Sequence, residues 1–164
     1  MADRRTGGST RRPKYTAPAK GSTDASRGSH VDVPHELVKT RCRWRLPAEA
    51  AMVPYVRAGI TNLATDLTDD DLDRIRLTVT EACANVVRHA YPRDPGILEV
   101  GVCLGRRTVV IDVCDAGIGT GAAQARAEPG EGGLGLPLIG MLADRVEITP
   151  HEPGTSVRMI FELH

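Results

Sequence analysis

One long amphipathic helix constrains the fold of this 164-residue chain more than any other feature. Thr68 is a good helix N-cap, and the three aspartates that follow it suit the positive end of a helix dipole. Apolar side chains then recur at helical spacing until Pro92, which ends the helix. They are Leu72, Ile75, Val79, Ala82, Cys83, Val86, Val87 and Ala90. So long an apolar stripe needs a second layer of structure to cover it.

Five β-rich segments and two further helical segments can supply that layer. Strands are predicted at 38–46, 97–104, 108–114, 145–149 and 155–162, and helices at about 50–66 and 136–143. Gly105-Arg106-Arg107 marks a hairpin between the second and third strands. The order β-α-α-β-β-loop-α-β-β predicts an α+β fold, namely a two-layer α/β sandwich. Its mixed, mostly antiparallel sheet is expected to be covered on one face by helices.

Composition excludes several classes of function. Hydrophobic residues make up 41% of the chain, enough for one core, and the net charge of zero provides no cationic field for nucleic acid. The four cysteines have no CxxC spacing, so neither a zinc site nor a disulfide framework is expected. The sequence has no apolar run long enough to span a membrane and no secretory signal. A cytoplasmic protein that binds neither membrane nor nucleic acid is therefore predicted.

The first 35 residues differ in composition from the rest. They are rich in Gly, Ser, Thr, Pro and Arg, and residues 1–30 hold seven Lys or Arg against two aspartates. Such a segment has too few apolar side chains to offset the entropy of ordering. We predict a disordered basic tail at 1–35, with an electrostatic docking arm as the alternative, and one folded domain at 36–164.

Three polar side chains form a row on the long helix. Glu81 and Asn85 are four residues apart and so share one helix face, and His89 continues the row. A polar row on an amphipathic helix usually faces only water. A functional interpretation of this row therefore needs support from motifs elsewhere in the chain.

Two glycine-containing segments provide that support. Asp115 ends a β-branched strand and precedes Gly117 and Gly119. A carboxylate there can accept a hydrogen bond from an exocyclic amine, and the glycines let backbone approach a flat ring. The segment 130–135 is glycine-rich and leads into a helix, whose free N–H groups suit an anion. The simpler alternatives are an ordinary Asp-Gly turn and a flexible linker.

Two other nucleotide motifs do not fit. The residues from Gly117 to Ala122 satisfy the loose dinucleotide pattern GxGxxG/A, but a Gly/Ala/Pro-rich loop follows where that fold needs a helix. The chain also has no GxxxxGK[ST] sequence, so it is not a P-loop protein.

Taken in order, these motifs resemble the GHKL (Bergerat-fold) ATPase superfamily. Glu81-xxx-Asn85 is similar to its N box, Asp115-x-Gly117-x-Gly119 to its G1 box, Gly133-Leu134-Gly135 to its G2 box, and Gly154-Thr155 to its closing threonine motif. The stretch from Glu81 to Tyr91, with no phosphoacceptor helix before it, is most similar to the anti-sigma-factor serine/threonine kinases. The resemblance covers about 46–163 and implies that the folded domain, 36–164, is an ATP-binding kinase domain.

The resemblance implies ATP and Mg²⁺ as cofactors. Asn85 would offer an oxygen to Mg²⁺, Asp115 would bind the adenine amine, and Thr155 would reinforce that contact. Glu81 would be the catalytic base that takes the proton of a serine or threonine hydroxyl. Arg126 is the candidate cation for the transferring phosphoryl group, although a lone loop arginine is usually just solvated. The other implied nucleotide-binding residues are His89, Gly117, Gly119, Gly132, Gly133, Leu134 and Gly135.

The resemblance also implies protein partners. The kinase would phosphorylate an anti-anti-sigma (STAS-type) antagonist, sequester a sigma factor, and form a homodimer through the face near the first helix, which carries Val56, Arg57 and Ile60. The alternative is a nucleotide-gated anti-sigma binding module without significant kinase turnover, and the presence of Glu81 favours the kinase. A fragment of a sensor histidine kinase is disfavoured, because residues before the domain lack the apolar periodicity of a dimerisation hairpin.

Overall fold

A computed structural model of the chain describes residues 38–93, 95–119 and 135–164. In chain order its elements are β1 (Val38–Pro47), α1 (Met52–Leu63), α2 (Asp69–Asn85), a π-helical turn (Val86–Ala90), β2 (Ile97–Gly105), β3 (Thr108–Asp115), α3 (Gly135–Leu142), β4 (Arg145–Pro150) and β5 (Thr155–Glu162). The elements predicted from the sequence are present, with ends shifted by only a few residues. The predicted tail lies outside the described residues and stays a prediction.

The strands form one five-stranded sheet in the order β1-β2-β3-β5-β4. Every strand pair within the described ranges is antiparallel, so the expectation of a mixed sheet was wrong for this part of the chain. Successive side chains of a strand point to opposite faces. Along β2, Leu98, Val100, Val102 and Leu104 are buried, and the residues between them are half-buried.

The helices pack against one face of this sheet, which confirms the two-layer sandwich. The core joins the apolar stripe of α2 to the inner faces of the strands, and its fully buried members include Ile75, Ile111, Ile139 and Phe161. All four cysteines are free, as the spacing predicted. Burial raises the pKa of the Cys83 thiol to about 12, so that side chain is an unreactive part of the core. No helix in the described ranges is long and apolar enough to cross a membrane.

The structure corrects one expectation about α1. Val56 and Ile60, expected on a dimer face, are only 1% and 2% exposed and belong to the core. The apolar stripe of α1 faces the sheet, where Gly59 lies so close to Trp44 that an added Cβ would come within 2.8 Å of the indole ring. Arg57, by contrast, is exposed. Periodicity identified a buried stripe correctly but could not say which surface buries it.

Charged side chains fasten the beginning of α2 to the end of the sheet. The Thr68 hydroxyl accepts a hydrogen bond from the Asp71 N–H at 3.2 Å, as predicted for an N-cap. The buried Asp71 carboxylate accepts a bond from Arg74 at 3.1 Å. Arg74 also donates to Asp144 at 3.1 Å and to the carbonyl of Glu162. These bonds hold α2 at a defined position across the sheet.

Candidate functional site

Two of the predicted site residues lie on the second half of α2. Glu81 and Asn85 are both half-buried, and the Glu81 side chain keeps 27% of its surface exposed. They therefore border the core rather than standing fully in solvent. A carboxylate and an amide one turn apart at such an edge remain accessible to a ligand that approaches the end of the helix.

The helix does not continue as an α-helix beyond Asn85. Residues Val86–Ala90 form a π-helical turn, a feature that is rare and is often found at functional sites. The wider turn takes His89 off the α-helical row that the sequence predicted, and His89 is exposed. Its supporting role at the nucleotide stays a prediction.

Sequence reasoning missed a cation at this site. The guanidinium of Arg88, in the π-turn, lies 3.7 Å from the Glu81 carboxylate, and its side chain is 52% exposed. That separation is longer than a hydrogen bond, so the pair is loose and contributes little to stability. The available signal was an arginine three residues after Asn85 on the same helix. Arg126, the cation named from the sequence, lies outside the described residues.

The predicted adenine-binding aspartate lies at the end of β3. Asp115 is half-buried and is paired in register with Thr155 on β5. Its carboxylate accepts a hydrogen bond from the Gly117 N–H at 2.8 Å, and the Thr155 N–H also bonds to it. Burial raises the pKa of Asp115, although these two N–H groups and the nearby His151 oppose that rise. A carboxylate can accept about four hydrogen bonds, so capacity remains for an amine.

Two glycines permit close backbone contacts around Asp115. A Cβ at Gly117 would overlap the carbonyl of Ala90, and a Cβ at Gly154 would overlap the carbonyl of Asp115 itself. Gly154 also has a φ of 110°, which L side chains rarely adopt. The sequence suggested that glycine was needed here for a ligand. The structure adds that the protein's own backbone requires it.

The aspartate loop, residues 115–119, is bonded directly to the end of the π-turn. The Ile118 N–H donates a hydrogen bond to the Ala90 carbonyl at 3.0 Å. The helix that carries Glu81 and Asn85 is thereby joined to the loop that carries Asp115. The aspartate loop is therefore adjacent in space to the end of the helical segment that carries the Glu81-xxx-Asn85 motif.

The part of the site around the phosphates is not described. Residues 120–134 hold Arg126, Gly132, Gly133 and Leu134, and these four predictions lie outside the described residues. The backbone of Gly135 begins α3. Cavities of about 290 Å³, beside Arg107 and His164, and about 320 Å³, beside Arg57 and Arg76, lie elsewhere and are not lined by Glu81, Asn85 or Asp115.

Asn85 fits the predicted role of a magnesium ligand. No hydrogen bond joins its side-chain amide to another residue of the described ranges. Those ranges also contain no group of three or more His, Cys, Asp or Glu side chains that could hold a metal by themselves. Mg²⁺ commonly takes only one or two protein oxygens and completes its shell with waters and substrate phosphates. A single amide oxygen is consistent with that chemistry.

Comparison with known proteins agrees with this geometry. The sequence model of the family described as "Histidine kinase-like ATPase domain" matches residues 46–161. The chain belongs to this family. A "Serine-protein kinase RsbW" of Bacillus cereus (strain AH187) is 32% identical over 130 residues, which are 70% of this chain and 80% of that protein. The same kinase of Bacillus anthracis (strain CDC 684 / NRRL 3495) is 30% identical over 129 residues, with the same shares. The chain is thus a member of the RsbW serine-protein kinases.

A solved structure supports the same fold. The crystal structure of the RsbU and RsbW domains of a Mycobacterium tuberculosis protein superposes with a TM-score of 0.60. The matched region covers 76% of this chain and 32% of the Mycobacterium tuberculosis chain, at 21% sequence identity. At that identity the match shows the fold alone. The fold class and the resemblance to the GHKL anti-sigma kinases, both predicted from the sequence, are confirmed.

Proposed function

We propose that this chain is a Mg-ATP-dependent anti-sigma factor that phosphorylates a serine or threonine of an anti-anti-sigma (STAS-type) protein and sequesters a sigma factor. The observation that carries the proposal is the hydrogen bond between Ile118 and Ala90, which joins the aspartate loop to the helix with Glu81 and Asn85. One ligand with a base at one end and phosphates at the other would contact both the aspartate loop and this helix. We place the protein in the cytoplasm, where ATP and sigma factors are found.

The base end of the site would be read by Asp115. Its carboxylate would accept a hydrogen bond from the adenine amine. The N–H groups of Thr155 and Gly117 donate to the same carboxylate and hold it in place. Gly117 and Gly119 leave room for the base against the loop backbone. Gly132, Gly133, Leu134 and Gly135 are proposed to wrap the phosphates.

At the phosphate end, Glu81 is proposed as the base. The hydroxyl oxygen of the substrate serine or threonine attacks the γ-phosphorus, its proton passes to the Glu81 carboxylate, and the bond to the β–γ bridging oxygen breaks to release ADP. Asn85 would hold Mg²⁺, which when bound neutralises phosphate charge. Arg88 is proposed as a second cation, because its loose contact with Glu81 lets the guanidinium turn toward the γ-phosphate. Arg126 stays a further candidate for the same task.

Binding of nucleotide is the first experimental test. Mg-ATP at one hundred times its Kd should stabilise the chain by about 2.7 kcal/mol in a thermal unfolding experiment. Asp115→Asn should weaken ATP binding, because an asparagine side chain has one acceptor oxygen in place of two and carries no charge. Its NH₂ group is a donor and cannot pair with the adenine amine. Asp73→Asn on the exposed side of α2 is the matched control and should bind like the wild type. Absence of any shift at millimolar Mg-ATP contradicts the proposal.

Transfer to a protein is the second test. The chain should move the γ-phosphoryl group of ATP to a serine or threonine of its anti-anti-sigma partner. The phosphorylated partner should then dissociate from the kinase, since added negative charge disrupts such an interface. The alternative without turnover is not favoured, because the relatives are serine-protein kinases and the base Glu81 is present. Stoichiometric complexes with no phosphorylated product would favour it.

A homodimer remains part of the proposal. Its surface is not formed by Val56 and Ile60, which are buried, so the exposed side of α1 around Arg57 is the candidate. Light scattering after size exclusion gives the mass directly. Arg57→Glu should shift a dimer toward the monomer, whereas a similar charge reversal at the hairpin residue Arg106 should not.

A further inference from the structure

We propose that Tyr91 is a positioning residue that sets the aspartate loop for reading the nucleotide base. The inference rests on the nucleotide site proposed above, but it concerns a residue to which neither the sequence motifs nor the mechanism assigned a role. Tyr91 follows the π-turn directly and stands between the phosphate-end helix and the base-end loop.

The Tyr91 hydroxyl bridges two parts of the backbone. It donates a hydrogen bond to the carbonyl of Ile97 at 2.8 Å, and it accepts one from the N–H of Ala116 at 2.8 Å. Ile97 is the first residue of β2, and Ala116 is the residue directly after Asp115. Both distances are short and favourable. The hydroxyl therefore ties the aspartate loop to a fixed strand of the sheet.

The position of the Tyr91 ring is itself determined by packing. The ring is half-buried and packs against the hydrophobic core. On one side it lies against Gly96 so closely that any Cβ there would overlap the ring. A hydroxyl on a ring held in this way has little freedom to move, which makes it suitable for fixing a loop.

Two consecutive residues hold the loop on both sides of Gly117. The carbonyl of Ala90 accepts from Ile118, and the hydroxyl of Tyr91 accepts from Ala116. The first group belongs to the last residue of the π-turn and the second to the residue that follows it, and α2 before the turn carries Glu81 and Asn85. The segment Ala90–Tyr91 thus sets the separation between the base-binding carboxylate and the phosphate end of the site.

Removal of the hydroxyl should loosen the loop without unfolding it. In Tyr91→Phe the ring still fills its place, and the bonds from Ile118 to Ala90 and from Gly117 to Asp115 remain. Because the change acts at the base end, Kd for ATP and Kd for ADP should rise by the same factor, about tenfold. KM for ATP should rise with them, while kcat at saturating ATP should stay within about twofold.

The test is a calorimetric titration of the wild type and Tyr91→Phe with Mg-ATP and with Mg-ADP. Tyr55→Phe on α1 is the matched control and should bind both nucleotides like the wild type. A double-mutant cycle with Asp115→Asn identifies the route of the effect. If the hydroxyl acts by placing Asp115, then Tyr91→Phe should reduce nucleotide affinity only slightly further in a chain that already carries Asp115→Asn.

Several results would overturn the inference. Unchanged nucleotide affinity in Tyr91→Phe, a loss confined to ATP, or fully additive losses in the cycle with Asp115→Asn would each do so. Amide hydrogen exchange on the ligand-free chain gives an independent reading, because the Ala116 N–H should exchange faster in Tyr91→Phe while the core strand β3 keeps its protection. Equal exchange of Ala116 in both proteins also overturns it.

The outcomes separate this inference from the proposed function. If wild-type chain binds no nucleotide, the proposed function fails, and the exchange of Ala116 still judges whether Tyr91 holds the loop. Suppose instead that the wild type binds nucleotide and that Asp115→Asn weakens this binding but Tyr91→Phe does not. Then only the positioning role of Tyr91 fails.

Discussion

The two halves of helix α2 use charged side chains in opposite ways. In the first half, Arg74 lies 3.0 Å from Asp71 and 3.1 Å from Asp144, and its side chain is 19% exposed. The same guanidinium stacks on the Phe161 ring, 5.7 Å from its centroid. In the second half, Arg88 approaches Glu81 only to 3.7 Å and is 52% exposed.

The difference separates charge used for folding from charge available for chemistry. At the Asp71 end, Asp71, Arg74 and Asp144 are satisfied by other parts of the same chain, so these three groups stabilise the fold and have little capacity for a ligand. At the Glu81 end, the carboxylate and guanidinium are weakly paired, and each can exchange its partner for a phosphate or a hydroxyl. Five variants test this separation of roles.

The largest effect is expected for Glu81→Gln. Glutamine keeps the shape of the side chain but cannot take a proton, so phosphoryl transfer should fall about 10³-fold. The free energy of unfolding should change by less than about 0.5 kcal/mol, because the ion pair to Arg88 is loose. Single-turnover transfer and urea unfolding measure the two quantities. Glu49→Gln, before α1, is the control, and transfer that survives in Glu81→Gln shows that Glu81 is not the base.

The next effect is a loss of stability in Arg74→Leu. This change leaves the buried Asp71 carboxylate without its cation and should lower the free energy of unfolding by about 3 kcal/mol. Arg76→Leu, two residues along the same helix, removes only a half-exposed partner of Asp73 and should cost less than about 1 kcal/mol. Equal losses in the two variants, measured by urea unfolding, would remove the distinction between the two halves of α2.

A smaller effect is expected for Arg88→Ala. If Arg88 neutralises the γ-phosphate as proposed, its loss should reduce transfer about 100-fold while leaving stability nearly unchanged. Affinity for ADP should be retained, because ADP has no γ-phosphate, and Arg88→Lys should recover part of the rate. Equal weakening of ATP and ADP would instead mean that Arg88 maintains the shape of the π-turn.

The smallest effect concerns pH. Burial alone would raise the pKa of Asp71, but bonds from the His164 N–H, Thr68 and Arg74 outweigh it and hold that pKa below its ordinary value. The folded chain then binds fewer protons at Asp71 than the unfolded chain, so this stabilisation is present above about pH 4 and is lost as pH falls. Asp71→Asn should flatten the acid side of a plot of unfolding free energy against pH.

Asp115 should show the opposite sign. Burial raises its pKa in the folded chain, so its ionisation makes the folded state less stable as pH rises through the raised value. Asp115→Asn should therefore make the unfolding free energy fall more steeply as the pH is lowered, whereas Asp71→Asn should make it fall less steeply. Plots that change in the same direction in both variants would contradict the opposite pKa shifts of Asp71 and Asp115.

Much of the fold could be predicted because its signals are local. The Thr68 cap, the period of the α2 stripe and the hairpin at Gly105-Arg106-Arg107 each depend on neighbours within a few residues. The grouping of Glu81, Asn85 and Asp115 in one site came from resemblance and stays a prediction, although Ile118 of the aspartate loop is bonded to Ala90 at the end of the helical segment. The phosphate-binding segment lies outside the described residues, so those predictions stay open.

Other features were not predictable from local signals. The residues Val86–Ala90 fit an ordinary α-helix by propensity, and the bond that joins their end to Ile118 crosses from one motif to another. Val56 and Ile60 repeat at helical spacing, which reveals a buried stripe but not whether a sheet or a second subunit buries it. The bridging role of Tyr91 gave no local signal, because its partners Ile97 and Ala116 lie in β2 and in the aspartate loop.

The amino-acid sequence alone indicated where the helices and strands lie to within a few residues, which faces are apolar, and which side chains can do chemistry, because short-range sterics, capping and periodicity govern these properties. Only the tertiary structure decided that α2 ends in a π-turn, that Arg88 stands beside Glu81, and that one tyrosine hydroxyl joins the aspartate loop to the sheet. These arrangements depend on which distant backbone groups meet when the core closes, and no local pattern encodes that meeting.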